Sequence, residues 1–412
     1  MFRDPDRSGL LLVTVALMAF GLAVLYSAGQ TDVPTVAARL WERQLMFLVV
    51  GVLVGIAASR VSPRLIEWAT PAIYVGSLLL LALTLVVGTG AGTAAGSKSW
   101  IEVAGVRIGQ PSELAKLAVI LMLARHLGSR REPPSTLWQL VPAGAIVGAP
   151  FVLVALQPDL GSALVFIGIF FAMLFWAGVN AWLLLLVASP LLSLLFAFST
   201  LSWGLWFLVL TLVLLRIRPY VLEGMTVWLT NAGMGISALW LWNRLAPYQQ
   251  NRLLSFVNPE VDPRATGWHI IQSKVAIGSG GLLGKGFTQG TQKRLAFLPE
   301  QATDFIYSVV GEELGFLGVL ISLLLFVAFL TLLVRLARRT SDPFGSLVVF
   351  GIAGMLFTHV IENVGMTVGL MPITGIPLPF FSYGGSFLLI ICLALGLVLR
   401  IGRESQRAGY GD

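Results

Sequence analysis

Apolar residues in this chain come in long blocks of about 16–24 residues, separated by short polar stretches. A helix needs about 20 such residues to cross the hydrocarbon core of a bilayer. In lipid a helix satisfies every backbone N–H and C=O within one segment. The blocks lie near 9–28, 44–60, 69–88, 113–127, 137–156, 160–178, 181–199, 202–216, 223–243, 305–335, 345–370 and 380–400. They predict an all-α fold: a polytopic helical membrane bundle of about twelve spans, forming one domain over 1–412. No stretch between them is long enough for a separate soluble domain. The first block is too long for a cleaved signal peptide and is read as retained. Composition agrees, since 57% hydrophobic and 11% charged residues exclude an ordinary soluble protein. The single cysteine, Cys392, lies in an apolar block and says nothing about redox compartment.

Charge tests this layout. With the N-terminus and its Arg3 and Arg7 placed in the cytoplasm, the cytoplasmic loops collect most of the arginines. They hold Arg60 and Arg64; Arg125, Arg130 and Arg131; Arg216 and Arg218; and Arg335, Arg338 and Arg339. The C-terminal tail adds Arg400, Arg403 and Arg407. Short outer loops are poor in basic residues, as the positive-inside rule requires. The net charge of +7 is therefore a topology signal rather than a sign of nucleic-acid binding.

One long outer segment, 244–304, departs from the rule with Arg244, Arg252, Arg264, Lys274, Lys285, Lys293 and Arg294. Long translocated loops obey the rule weakly, and loops of this length are usually functional or disordered. Its aromatic and aliphatic residues predict that it folds onto the membrane surface. "GWHIIQSKVAIGSGG" predicts a short amphipathic helix at the interface, with Gln272 and Lys274 facing headgroups. "GSGGLLGKG" lacks the GKS or GKT ending of a nucleotide loop, so no nucleotide cofactor is expected. Its glycines and lysine could still hold a phosphate through N–H groups and charge. His126, His269 and His359 are scattered, which argues against zinc.

Ionisable residues at membrane depth are expensive and point to function. "QPSELAK" places Glu113 and Lys116 at i, i+3, as either a packing salt bridge or the charged wall of a cavity. "QPDLG" places Asp159 before a helix, where it reads first as an N-cap and second as a catalyst. "HVIENVGMTVGLMPITGIPLPFFSYGGS" sets His359, Glu362 and Asn363 in one apolar block, then breaks into a proline-rich loop containing Ser382. Irregular backbone at that depth is tolerated where it lines a cavity. "FLPEQATDFIYSVVGEELG" places Asp304 where the outer loop becomes a helix, with Glu312 and Glu313 two turns further in.

Those blocks, in that order, resemble the SEDS family of cell-wall membrane enzymes, the group of RodA, FtsW and SpoVE. "PITGIPLPF" and "GWHIIQSK" are most similar to the RodA branch. The resemblance implies a peptidoglycan glycosyltransferase that polymerises lipid II, the undecaprenyl-diphosphate-linked disaccharide-peptide, during cell elongation and so maintains cell shape. It implies a bacterial cytoplasmic membrane location with both termini cytoplasmic. It also implies a class B penicillin-binding protein as transpeptidase partner, within the elongation machinery. The family's essential acid falls on Asp304, and its charged pair on Glu113 and Lys116. Two features depart from the family. It has ten spans, so 202–243 reads as a two-helix insertion before the catalytic loop 244–304. Ser99 stands where a basic residue is usual before Trp100, with Lys98 one position earlier as a substitute.

The chemistry follows from the residue types. A sugar hydroxyl must attack an anomeric carbon whose leaving group is a lipid diphosphate. Asp304 either accepts the hydroxyl proton or holds a divalent cation, Mg or Mn, against the diphosphate. Lys274, Lys285, Lys293 and Arg294 are the candidate diphosphate contacts, with Lys98, Lys116 and Arg107 around a second pocket. Asn363 and Ser382 complete the expected substrate-binding set. Glu312 and Glu313 read as buried hydrogen-bonding groups. A lipid II flippase and a non-catalytic scaffold for the penicillin-binding protein are the alternative functions.

Overall fold

The computed structural model describes residues 5–33, 35–90, 98–103, 106–217, 220–245, 247–258, 266–298 and 300–409. Arg3, Arg218 and Arg264 fall outside these, as do the side chains of Arg107 and Arg407.

Each of the twelve apolar blocks is a helix. They are α1 (Pro5–Ala28), α2 (Leu40–Ala58), α3 (Pro63–Val87), α4 (Pro111–Gly128), α5 (Leu137–Ala155), α6 (Leu160–Trp176), α7 (Ala181–Phe196), α8 (Thr200–Ile217), α9 (Val221–Arg244), α13 (Ile306–Arg339), α14 (Pro343–Val368) and α15 (Gly385–Gly409). Between α9 and α13 lie α10 (Pro247–Val257), α11 (Thr266–Ser279) and α12 (Thr291–Arg294). Among the described residues, 8 helices are long and apolar enough to cross a membrane. The helices α6 and α7 are apolar but shorter, while α4 and α9 carry more polar residues. The chain is a multi-pass membrane protein. The loop before α4 also forms a small antiparallel hairpin, β1 (Ile101–Val103) with β2 (Val106–Gly109), which the apolar pattern does not foretell.

Local chemistry explains the helix ends. Pro63, Pro111 and Pro343 occupy first turns, where a missing N–H costs nothing. Ser62, Asp159 and Asp342 accept the backbone N–H of Leu65, Ser162 and Gly345 as N-caps. Asp159 is thus the cap its position implied.

The core is built on α4 and α14. Helix α14 packs against α4, α6, α11 and α13, and α4 also touches α3 and α5. Helix α1 lies on α13, and α15 on α2. At one end of the bundle, Arg339 pairs with Asp6 and Trp176 donates to Ser346 Oγ. At the other, Gln301 Nε2 donates to the Ala28 carbonyl over 2.9 Å; this Asp304 end carries the long loop. Here Gly21 of α1 passes so close to the next segment that a Cβ would sit 2.2 Å from the Phe380 oxygen.

The long loop folds onto protein. Helix α11 forms where expected, but Ile270, Ser273 and Ala276 are buried against α13 and α14. Ser273 Oγ meets Ser308 Oγ at 2.7 Å and donates to the Thr367 carbonyl at 2.6 Å. Small residues at this contact allow the backbones to approach, so α11 is a packed element rather than a surface helix, with Lys274 exposed.

Candidate functional site

Asp304 sits in the turn that leads into α13 and is half-buried. The turn is held from three directions. Asn363 Nδ2 on α14 donates to the Asp304 carbonyl at 2.9 Å and to the Ile376 carbonyl at 2.8 Å. Ser382 Oγ donates to the Thr303 carbonyl and accepts the Leu378 N–H at 2.8 Å. Tyr383 N–H donates to the Ala302 carbonyl at 2.8 Å. The 369–384 loop is in turn bent sharply: Gly369, Gly375 and Phe380 have φ of 75°, 73° and 70°. Phe380 pays a local strain of about 1–3 kcal/mol that surrounding packing must hold.

The carboxyl of Asp304 faces Gly375 and Arg252. A Cβ on Gly375 would lie 3.5 Å from Asp304 Oδ2 and 3.9 Å from Arg252 Nη1. Burial pushes the Asp304 pKa up to about 7, helped by the charges of Glu300 and Asp159 and opposed by Arg252 and a hydrogen bond from Thr303. A carboxylate near neutrality suits proton acceptance at physiological pH.

Deeper in the bundle, Lys116 Nζ lies 2.8 Å from Glu113 Oε2, both side chains being almost fully buried. The same Nζ meets His359 Nε2 at 3.0 Å, and His359 Nδ1 meets the Pro377 carbonyl at 3.1 Å. The imidazole stacks on Phe387 with centroids 4.5 Å apart. Asp159, capping α6, also takes a 2.8 Å hydrogen bond from Gln110 Nε2. Asn363 Oδ1 and Glu362 Oε2 are buried without a hydrogen-bond partner among the described residues. The sequence blocks around 113–116, 304, 359–363 and 374–382 therefore meet in one place.

The Gly-rich loop is anchored by the other acidic pair. Glu312 Oε1 accepts from Lys285 Nζ and the Gln292 N–H, each at 2.8 Å. Glu313 Oε1 accepts from the fully buried Lys293 Nζ at 2.6 Å, and its Oε2 accepts from Ser27 of α1. Gly315, at φ 62°, breaks α13 just beyond these acids; a Cβ there would strike the Gly284 nitrogen. Arg294 pairs with Asp32 at 2.9 Å. Three of the four basic residues expected around the diphosphate are thus ion-paired with carboxylates; the fourth, Lys274, is exposed beside Gly369 at the end of α14. Lys98 is exposed near the Asp304 end, its N–H donating to the Gln157 carbonyl, while Ser99 is buried.

Sequence reasoning missed Arg252 as a neighbour of Asp304. It lies 52 positions away and arrives only because α10 folds back, so no spacing signal marks it. Glu300 was findable, standing four residues before Asp304 in "EQATD". Among the described residues, no group of three or more His, Cys, Asp and Glu could hold a metal. The donor set fits a magnesium-type site only if ligand phosphates and water supply most of the coordination, as such ions accept.

The profile of the FtsW/RodA/SpoVE cell cycle proteins matches residues 8–205 and 204–407. The peptidoglycan glycosyltransferase RodA of Treponema pallidum (strain Nichols) is 39% identical, over 95% of this chain and 96% of its own. The peptidoglycan glycosyltransferase MrdB of Escherichia coli (strain K12) is 35% identical, over 97% and 93%. Among solved structures, a chain of a peptidoglycan synthase complex that coordinates polymerization and crosslinking superposes with a TM-score of 0.71 at 30% identity, covering 96% of this chain and 97% of that one. With a profile match over nearly its whole length, this chain belongs to the FtsW/RodA/SpoVE family of cell cycle proteins, the SEDS family, and is most like RodA.

Proposed function

We propose that this protein is a peptidoglycan glycosyltransferase that polymerises lipid II during cell elongation. The observation that carries the reading is Asp304: a half-buried carboxylate, tuned to about 7, in a turn fixed by α14 and the 369–384 loop. The 4-hydroxyl of one disaccharide attacks the anomeric carbon of another. A C–O glycosidic bond forms, the bond to the lipid diphosphate breaks, and Asp304 takes the hydroxyl proton. Proton transfer of this kind is worth about 100- to 10,000-fold in rate. Arg252 and Lys274 are the side chains assigned to the leaving diphosphate, Arg252 because it lies with the Asp304 carboxyl against Gly375 and Lys274 because it is exposed beside Gly369. In the alternative role, Asp304 would instead hold a divalent cation, Mg or Mn, that supplies charge neutralisation to the diphosphate. The open acceptors Asn363 Oδ1 and Glu362 Oε2 are assigned to substrate N–H and O–H donors.

The loop that holds Asp304 faces the outside of the cytoplasmic membrane, with both termini inside. A class B penicillin-binding protein is the partner that crosslinks the strands. Residues 202–243 are assigned as a two-helix insertion into a ten-span family core.

The test is polymerisation of lipid II by the purified, reconstituted protein, with the glycan resolved on a gel. Wild type makes strands, and Asp304→Ala loses them. Lipid II translocation without strands, unaffected by Asp304→Ala, would instead establish a flippase. Full complementation of a depletion strain by Asp304→Ala would establish a scaffold.

A further inference from the structure

Lys116 has three N–H donors and no acceptor. Its Nζ lies 2.8 Å from the Glu113 carboxylate and 3.0 Å from His359 Nε2. That nitrogen must therefore accept. The other ring nitrogen, Nδ1, lies 3.1 Å from the Pro377 carbonyl, which only accepts. One protonation pattern satisfies both contacts: a neutral imidazole with its proton on Nδ1. An imidazolium would set an N–H against Lys116, and the opposite tautomer would also leave two acceptors facing each other at Pro377.

We infer that the Glu113–Lys116 pair acts on the Asp304 site through His359, by docking the neutral ring, with Nε2 unprotonated, whose Nδ1 holds the Pro377 carbonyl. His359 and Asn363 are one turn apart on the same face of α14. Between them they hold two successive carbonyls of the loop, Pro377 and Ile376. Gly375, the next residue along, lies against the Asp304 carboxyl, and Asn363 grips the Asp304 carbonyl itself. The buried ion pair thus sets the position of the wall that Asp304 faces, and His359 is a positioning residue that need not touch substrate. The stack on Phe387 holds the ring plane while the two hydrogen bonds choose its rotation.

This inference rests on the glycosyltransferase reading for its activity arm but not for its structural arm. The structural arm is nitrogen NMR of the histidine-labelled, full-length protein in lipid nanodiscs. Wild-type His359 should report the neutral tautomer protonated at Nδ1, and Lys116→Met, which removes the N–H facing Nε2 while Pro377 still accepts from Nδ1, should let a second proton bind at Nε2. A wild-type ring protonated at Nε2 or at both nitrogens overturns the inference, as does an Nε2 whose protonation is indifferent to Lys116→Met, whatever the activity. The activity arm compares His359→Gln, which keeps an acceptor and a donor, with His359→Leu, which keeps neither. A loop displaced by about 1 Å costs on the order of 100-fold. His359→Leu should lose kcat on that scale with little change in KM, and His359→Gln should recover most of it. Equal loss in both variants, or no loss in His359→Leu, contradicts the inference. If neither the variants nor wild type polymerises lipid II, the functional reading fails while the tautomer result still stands.

Discussion

Asn231 on α9 and Asn363 on α14 are both fully buried inside membrane helices, yet they are bonded in different ways. Asn231 is closed on every side. Its Nδ2 donates to Ser189 Oγ and the Val227 carbonyl, each at 2.8 Å, and its Oδ1 accepts from Trp206 Nε1 at 3.3 Å. Its carbonyl accepts from Ser193 Oγ at 2.7 Å. Asn363 uses its donor on two carbonyls and leaves Oδ1 without a partner among the described residues. Lipid-facing helices gain little from the hydrophobic effect on associating, so a polar network such as that of Asn231 holds them together. It docks the α8–α9 hairpin on α7 with only a small apolar cluster of Leu186, Leu210 and Val227 beneath it. An unmet buried acceptor, in contrast, carries a desolvation cost of about 1–3 kcal/mol. A donor group on a ligand at the Asp304 site would offset that cost. A groove of about 650 Å³ between α8 and α9 shares no lining residue with the Asp304 site.

The comparison can be broken most forcefully at the ion pair. Lys116→Met leaves Glu113 buried and unpaired, which should cost about 3–5 kcal/mol and lower the thermal midpoint together with activity. A midpoint equal to wild type would show that the pair is not buried as described. Next in size is Asn363→Ala, which frees both the Asp304 and Ile376 carbonyls. Polymerisation should fall on the order of 100-fold in single-turnover assays on protein that remains monodisperse. Asn231→Ala should do the reverse: turnover per folded molecule unchanged, stability lower by roughly 1–3 kcal/mol in detergent melts. If Asn231→Ala slowed turnover as much as Asn363→Ala, the division between glue and site would be wrong. Turnover should likewise survive deletion of 200–244, which removes α8 and α9 and rejoins two ends on the same side of the bundle. The shortened protein should still make strands.

Asp304→Asn sharpens the same contrast through stability. The folded-state pKa is raised above the ordinary carboxylate value, so ionised Asp304 opposes folding. That cost is absent near pH 4, grows as pH rises and is complete above about 7. Asp304→Asn should therefore melt higher than wild type at pH 8, and the gain should vanish towards pH 4.

Much of this was legible in the sequence. Span-length apolar blocks gave all twelve long helices, because a bilayer enforces one element type and one length. The resemblance singled out Asp304, Glu113 and Lys116, and the polar positions of the 359–382 block marked Asn363 and Ser382; that their segments meet in one place comes from the structure. What could not be read was pairing over distance. Whether Lys293 binds substrate or Glu313 depends on Gly315 bending α13 over the Gly-rich loop, and the Arg252 approach depends on how α10 folds back. The single-turn α12 and the β1–β2 hairpin are too short to leave a periodic signature.

The central claim is that the ionised Asp304 carboxylate accepts the proton during glycosyl transfer, and the most direct measurement is the pH dependence of single-turnover lipid II polymerisation by the reconstituted wild-type protein. Because the deprotonated form is the active one, the rate should rise with pH along a limb centred at about 7 and fall about tenfold per pH unit below it. A rate that stays level from well below that midpoint to well above it would contradict the account.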